Sequence, residues 1–466
     1  MVPSASAEDM VELSSKEPRL GISTAIVVAI AMTALASGLG AGITPAFASA
    51  DPPVVKTRRA LDFLGQAAFD WQNQFGCSGC HKQAMTIAAL GTARSRGYDA
   101  AKPGIIQTLI DGLLTLNSGQ QPDGCFTLNN GPDSTEATTF GGRGLEAYDR
   151  YFRPKKSNLL AAADCLLSRQ ASDGRLASDH TELPVAQGDF ITTAHGIFTW
   201  NRSFELTGNT SYSNAANRAV SWLRGRVSVI QAAPDNFTTQ DKAMLLAGLG
   251  GSGAGTSDSD VVSMRNLVAS EQQADGSWKL RNSETGGNGH ATGQVVFALR
   301  ECGYTRSDSA VDRGTQWLFD HQQGDGSWAP DSWEGSPPSQ IAPSMWGALA
   351  LATYASPLNG LRVAPISGTA GGSATVSWNP VDGASSYDLI RGNVAALTEL
   401  SDHVDLGPAA CLAAATPSTS FQDGQNPSAG QSFFYLMRIR WDSTHDIYGR
   451  SSGGRDRIPS SGDCPP

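Results

Sequence analysis

Two thiols three residues apart, with an imidazole at the next position, form the group with the clearest chemistry in this chain: Cys77-Ser78-Gly79-Cys80-His81. Such a spacing lets both sulfurs form thioethers with the vinyl groups of a haem while the adjacent histidine becomes an axial ligand to iron. The same thiols could instead close on each other as a disulfide or supply half of a zinc site, although the chain has no second Cys-x-x-Cys. The spacing points to covalent haem c on Cys77, Cys80 and His81. The opposite face of the iron then needs a residue from elsewhere, and His195, His290 and His180 qualify by position. Met85 lies one turn beyond His81 and cannot reach round the macrocycle, so it reads as core; His321 reads as structural.

A repeat must position these residues. Gln-x-x-Asp-Gly recurs at Gln120, Gln170, Gln272 and Gln322, with its aspartates at Asp123, Asp173, Asp275 and Asp325. The double-length middle interval hides a degenerate copy, from Ser221-Trp222-Leu223 to Asp235-Asn236-Phe237. A period of this size means a solenoid, propeller or toroid. Each copy reads as two helices. Ala310, Gly314, Trp317 and Leu318 make one apolar stripe of an outer helix, while Val295 to Leu299 and Met345 to Leu351 are apolar all round and read as buried inner helices. Inner helices near residues 83, 138, 192, 239, 291 and 342 give six pairs, an (α/α)6 toroid over residues 51–357. Leu61, Leu64, Ala68 and Trp71 mark the first outer helix, so Cys77-x-x-Cys80 occupies the turn where later pairs carry Asp-Gly. All such turns fall at one end of the barrel, where the inner-helix dipoles would favour anionic haem propionates.

Gln272-Gln273-Ala274-Asp275-Gly276-Ser277-Trp278 and Gln322-Gln323-Gly324-Asp325-Gly326-Ser327-Trp328 resemble the Q-W repeats of squalene-hopene cyclases and of protein prenyltransferase β-subunits. His290-Ala291-Thr292-Gly293-Gln294 resembles an inner helix of the same group. The resemblance implies a stabilising role for Gln272, Trp278, Gln322 and Trp328, whose counterparts tie outer helices together. It does not bring the chemistry with it. Cyclisation in that family starts from an Asp-x-Asp-Asp acid, where this chain has Ser257-Asp258-Ser259-Asp260-Val261, and no prenyltransferase zinc set of Asp, Cys and His is visible. Whether the chain is an enzyme stays open, and the catalytic residues are unknown. An exported Cys-x-x-Cys-His combined with such repeats also resembles uncharacterised bacterial proteins with the motif in the first helix pair.

Residues 20–44 are apolar and small, follow Lys16 and Arg19, and lead to Ala46-Phe47-Ala48-Ser49-Ala50, which reads as an export signal over residues 1–50 and a periplasmic or extracellular destination. A retained membrane anchor is the alternative. After Tyr354 the text changes to period-2 runs, Thr375–Trp378, Ser386–Ile390 and Phe433–Arg440, a small all-β sandwich over residues 358–466. Its Trp378-Asn379-Pro380-Val381 and Tyr387-Asp388-Leu389 resemble fibronectin type III domains. Cys411 is expected to pair with Cys464 and Cys125 with Cys165, leaving Cys302 buried. The 466 residues carry a net charge of -10 and no basic stripe, which argues against nucleic acid as a partner. Three functions remain: a monohaem c-type cytochrome with a redox partner protein, an isoprenoid- or lipid-binding enzyme taking a hydrophobic small molecule against Phe140, Trp200 and Trp346, and an extracellular scaffold with a Cys77–Cys80 disulfide whose sandwich contacts a surface polymer.

Overall fold

The computed structural model of the chain describes residues 53–465 apart from several internal stretches, the longest being 180–187, 330–339, 354–361 and 366–373. The expected export signal lies outside the described residues, and so do His180 and Ser78 to Cys80. Among the described residues no helix is long and apolar enough to cross a membrane.

Twelve helices alternate between two concentric rings. The inner ring is α2 (His81–Ser95), α4 (Thr135–Tyr151), α6 (Asp189–Thr207), α8 (Thr239–Gly251), α10 (Gly289–Glu301) and α12 (Ile341–Ala352). Each packs on the next, and α12 returns to α2, so the ring closes. The outer ring is α1 (Pro53–Phe75), α3 (Ile105–Thr115), α5 (Lys156–Arg169), α7 (Thr210–Ala232), α9 (Ser259–Ser270) and α11 (Ser309–Asp320). The division follows from composition. Every residue of α12 is buried, and so is α10 from Gly289 to Leu299, stretches made mainly of small and apolar side chains. Outer helices bury one stripe: in α11 it includes Ala310, Gly314, Trp317 and Leu318. The fold is an (α/α)6 toroid.

Side-chain amides hold the outer ring together. Gln120 Nε2 donates to its own turn at the Gly124 carbonyl (3.1 Å) and to the Asn158 carbonyl in the first turn of α5 (2.8 Å). Gln170 repeats this on Gly174 (2.8 Å) and Ala215 of α7 (2.9 Å), and Gln272 on Gly276 (2.8 Å) and Ala310 of α11 (3.0 Å). Gln322 donates to Gly326 (3.1 Å) and to Lys56 of α1 (2.9 Å), which joins the last pair to the first. The tryptophans add a second tie. Trp278 Nε1 donates to the Val268 carbonyl at 2.7 Å and Trp328 Nε1 to that of Leu318 at 3.0 Å, both rings fully buried.

Two pairs lack the motif and use other chemistry. In the first, Gln72 Nε2 reaches the Thr108 carbonyl of α3 at 2.9 Å. In the fourth, α7 runs into a short 3-10 turn at Pro234–Asn236, and Arg224 grips Asp258 (2.7 Å) and Asp260 (2.5 Å) at the start of α9. Asp258 also caps α9 by accepting from the Asp260 and Val261 amides. The Ser257–Val261 segment, which stands where the sequence lacks the cyclase acid, is therefore the cap and clamp of an outer helix.

Beyond the ring, strands Ala374–Ser377 and Ser420–Asp423 pair in one sheet, and Ser386–Asn393 lies between Phe433–Trp441 and Ala409–Thr416 in another. Val376 and Trp378 meet Tyr387, Leu389, Met437 and Ile439 between them, and Val54 and Val55 of α1 pack against this cluster. On the opposite side of its strand Asp388 is fully buried, accepting from Arg438 (2.6 Å) and Arg440 (2.8 Å). Cys125 pairs with Cys165 and Cys411 with Cys464. Cys302 is buried, and that burial pushes its thiol up to about 12.

The turn glycines supply a direct test. Gly326 has φ +99, and a Cβ there would sit 2.3 Å from the Arg59 carbonyl of α1, whereas Gly324, two residues earlier, has open space. Gly326→Ala should cost roughly 2 kcal/mol or more from backbone strain and steric conflict, while Gly324→Ala should be close to neutral, both read by urea unfolding. Equal losses at the two positions would contradict the assigned role of the turn in ring closure.

Candidate functional site

Cys77, at the start of the Cys-x-x-Cys turn, is anchored on both sides. Helix α1 ends at Phe75, Gly76 turns the chain at φ +59, and Cys77 forms a parallel bridge with Asn117 in the next turn. From the first turn of α2, Gln83 Nε2 donates to the Cys77 carbonyl (3.2 Å) and to Gln72 Oε1 (3.3 Å). The amide that ties α1 to α3 thus also seats the motif. His81 opens α2 and is turned inward, only 5% exposed.

Around the barrel axis, at the end where the inner helices begin, imidazoles and other large side chains alternate. The His81 ring lies 6.0 Å from Phe140, which lies 4.9 Å from His195. His195 is 6.4 Å from Trp346, and Trp346 is 6.3 Å from His290. Gln240 Nε2 is 3.4 Å from His290 Nε2. The three histidines come from α2, α6 and α10, the first, third and fifth inner helices; Phe140, Gln240 and Trp346 come from the three between them. Two of the expected partners of His81, His195 and His290, are thus brought to the same axis.

All three imidazoles are held neutral. Burial drives His81 well below the ordinary histidine range, with Lys82 and His290 adding to the effect. Burial pulls His195 down to about 3, helped by the charge of Arg143, and it pulls His290 down to about 3 against an opposing hydrogen bond with the Ala342 backbone. Neutral imidazole is the form that ligates a metal. The axis also carries buried polar atoms without protein partners: Nδ1 of His195 and of His290, the Thr86 hydroxyl, Gln83 Oε1 and both amide atoms of Gln294, one turn below His290. Buried polar atoms of this kind call for a ligand or ordered water. The three imidazoles do not share one ion-sized point. Among the described residues the grouping at ion-sharing distance is Asp123, Cys125 and Asp133 in the second turn, and its Cys125 sulfur is committed to a disulfide.

Of the three aromatic residues expected to line a barrel cavity, Phe140 and Trp346 lie beside the axial histidines and Trp200 does not. Its indole Nε1 donates to the Ala163 carbonyl of α5 at 3.2 Å, so the ring packs between the two rings of helices. Met85 is core, 1% exposed. His321 follows α11 and stacks on Trp317 at 4.1 Å. Gln72, Gln83, Gln240 and Gln294 were missed as site residues. For Gln294 the signal was present: a long polar side chain one turn after His290, just before an apolar run on an inner helix.

The fold and site define an α/α toroid with a polar, histidine-lined axis. Compared with known proteins, the chain matches no family model and no curated protein. Among solved structures it is similar to ent-copalyl diphosphate synthase from Streptomyces platensis, at 18% identity over 59% of this chain and 50% of that one, TM-score 0.42. The chain therefore spans half the length of that synthase. It is similar to the type II terpene cyclase MstE from Scytonema at 12% identity, over 64% of this chain and 98% of that one, TM-score 0.43. A polysaccharide lyase is matched at 12% identity over 64% and 96%, TM-score 0.41. Chemistry has to be argued from this chain's own side chains.

The unpartnered amide gives a measurable consequence. Gln294→Leu removes two buried, unsatisfied polar atoms at nearly constant volume, so it should stabilise the ligand-free protein by about 1 kcal/mol. Thermal unfolding checks this, and a clear destabilisation would show that the amide is satisfied within the fold.

Proposed function

We propose that this chain is an exported haem protein in which Cys77 and Cys80 hold a c-type haem, His81 is one iron ligand, and the molecule serves electron transfer or haem redox chemistry with a partner protein. The observation that carries the reading is the convergence of His195 and His290, both neutral and both with an unpartnered Nδ1, on the axis that His81 faces. These donors fit iron, whereas the spread of the three imidazoles around the axis suits a broad group better than a bare ion. Bound haem would supply one-electron redox chemistry at iron. The chain's part is to hold Cys77 through Gln83, to keep His81 neutral by burial, and to offer His195 or His290 as the second ligand. The two disulfides are compatible with an oxidising compartment.

A second reading is supported by Gln294, which no haem role requires. The axis would then receive a small molecule, gripped by the amide and flanked by Phe140 and Trp346, as in the isoprenoid- or lipid-binding alternative.

Production in a bacterial host able to attach haem c separates the two. The haem reading expects haem that stays with the polypeptide under denaturing conditions, is lost in Cys77→Ala and Cys80→Ala, and changes spin state in one of His195→Ala and His290→Ala. Absence of covalent haem in such a host would overturn it. Native mass spectrometry of the gently purified protein would then expose a retained small molecule, as the second reading expects.

A further inference from the structure

At the far end of the barrel from the Cys-x-x-Cys turn, the last turns of the inner helices surround a cavity of about 290 Å³. Four guanidiniums reach it, Arg96, Arg143, Arg150 and Arg300, against two carboxylates, Glu146 and Glu301. Part of this charge answers the helix ends, since Arg300 donates to the Thr353 carbonyl at 2.9 Å. The rest is not explained that way. Arg143 stands two turns inside α4, is 5% exposed, pairs with Glu146 and lies 4.5 Å over the Phe198 ring. Glu146 also accepts from Arg150 at 2.7 Å, and Arg150 is met in addition by Glu205 at 3.0 Å. Glu301 is the other carboxylate, and its own burial together with the nearby Glu146 charge raises its pKa. Arg150, 30% exposed along its side chain, opens the site to solvent.

We propose that this cavity is a binding site for a compact polyanion carrying phosphate or carboxylate groups. Guanidiniums present paired N–H donors in the geometry that such oxyanions accept, and low-dielectric walls strengthen the attraction. A volume near 290 Å³ suits a small molecule rather than a polymer. The site uses none of the residues proposed to hold haem, although the Arg143 charge reaches His195.

Isothermal titration of the full-length protein with inorganic pyrophosphate and, separately, with citrate tests this at constant ionic strength set by sodium chloride. Saturable binding of one equivalent of at least one probe is expected, and which probe binds more tightly tells phosphate from carboxylate recognition. Arg300→Gln and Arg96→Gln should each weaken it tenfold or more, and Arg300→Lys should recover part of the loss. Circular dichroism identifies any variant that does not fold, and the remaining variants then decide. No saturable binding of either probe, or binding as tight as in the unsubstituted protein for the folded glutamine variants, overturns the proposal.

Discussion

A side-chain amide that donates twice, once into its own turn and once near the start of the next outer helix, is the constraint from which the rest of this structure follows. The acceptor in the next helix is a carbonyl near its start, which lies in the helix's own ladder as well, so the amide adds a second hydrogen bond that ties one helix to the next. Its larger effect is positional, because it sets every turn at the same height relative to its neighbour. Inner helices that begin from turns of equal height begin at equal depth. That is why residues as far apart in sequence as His81 and His290 reach one level of the axis, with Phe140, His195 and Trp346 between them.

The axis works against the stability of the fold that creates it. Each buried and unsatisfied polar atom costs roughly 1–3 kcal/mol, and the axis holds several of them together with three neutral imidazoles. A continuous apolar shell, including fully buried Trp278, Trp328 and Trp346, offsets this cost. Polar residues kept at the centre of such a shell fit a binding role better than a packing one. The two ends of the axis also differ in sign: inner-helix starts and neutral imidazoles at one, helix ends faced by guanidiniums at the other.

Much of the architecture was legible because spacing alone carries it. Gln-x-x-Asp-Gly at a fixed period, apolar stripes and all-apolar runs placed six helix pairs and put the Cys-x-x-Cys motif in the first turn. Cys125–Cys165 and Cys411–Cys464 were likewise expected. What escaped notice was function carried by a different residue in the same place. Gln72 does the work of the repeat glutamine without the surrounding motif, and Arg224 does it with a guanidinium and two aspartates. No string search finds a geometric equivalence of that kind. Trp200 failed for a related reason: an aromatic on an inner helix can face either the axis or the outer ring, and spacing alone does not say which.

The ring is shut by Gln322 donating to the carbonyl of Lys56, a contact between residues 266 apart in the chain. Every other tie in the outer ring joins successive pairs and can form as those pairs emerge. This one cannot exist until nearly the whole toroid has been made, so a growing or truncated chain is an open spiral with two bare ends: one face of α12 lacks α1 and α2, and the first turn of α1 lacks its donor. Because Val54 and Val55 in that same turn rest on the sandwich core, the final domain is also the last to cover the seam. The order of synthesis therefore becomes an order of assembly, in which the beginning of the chain waits for its end.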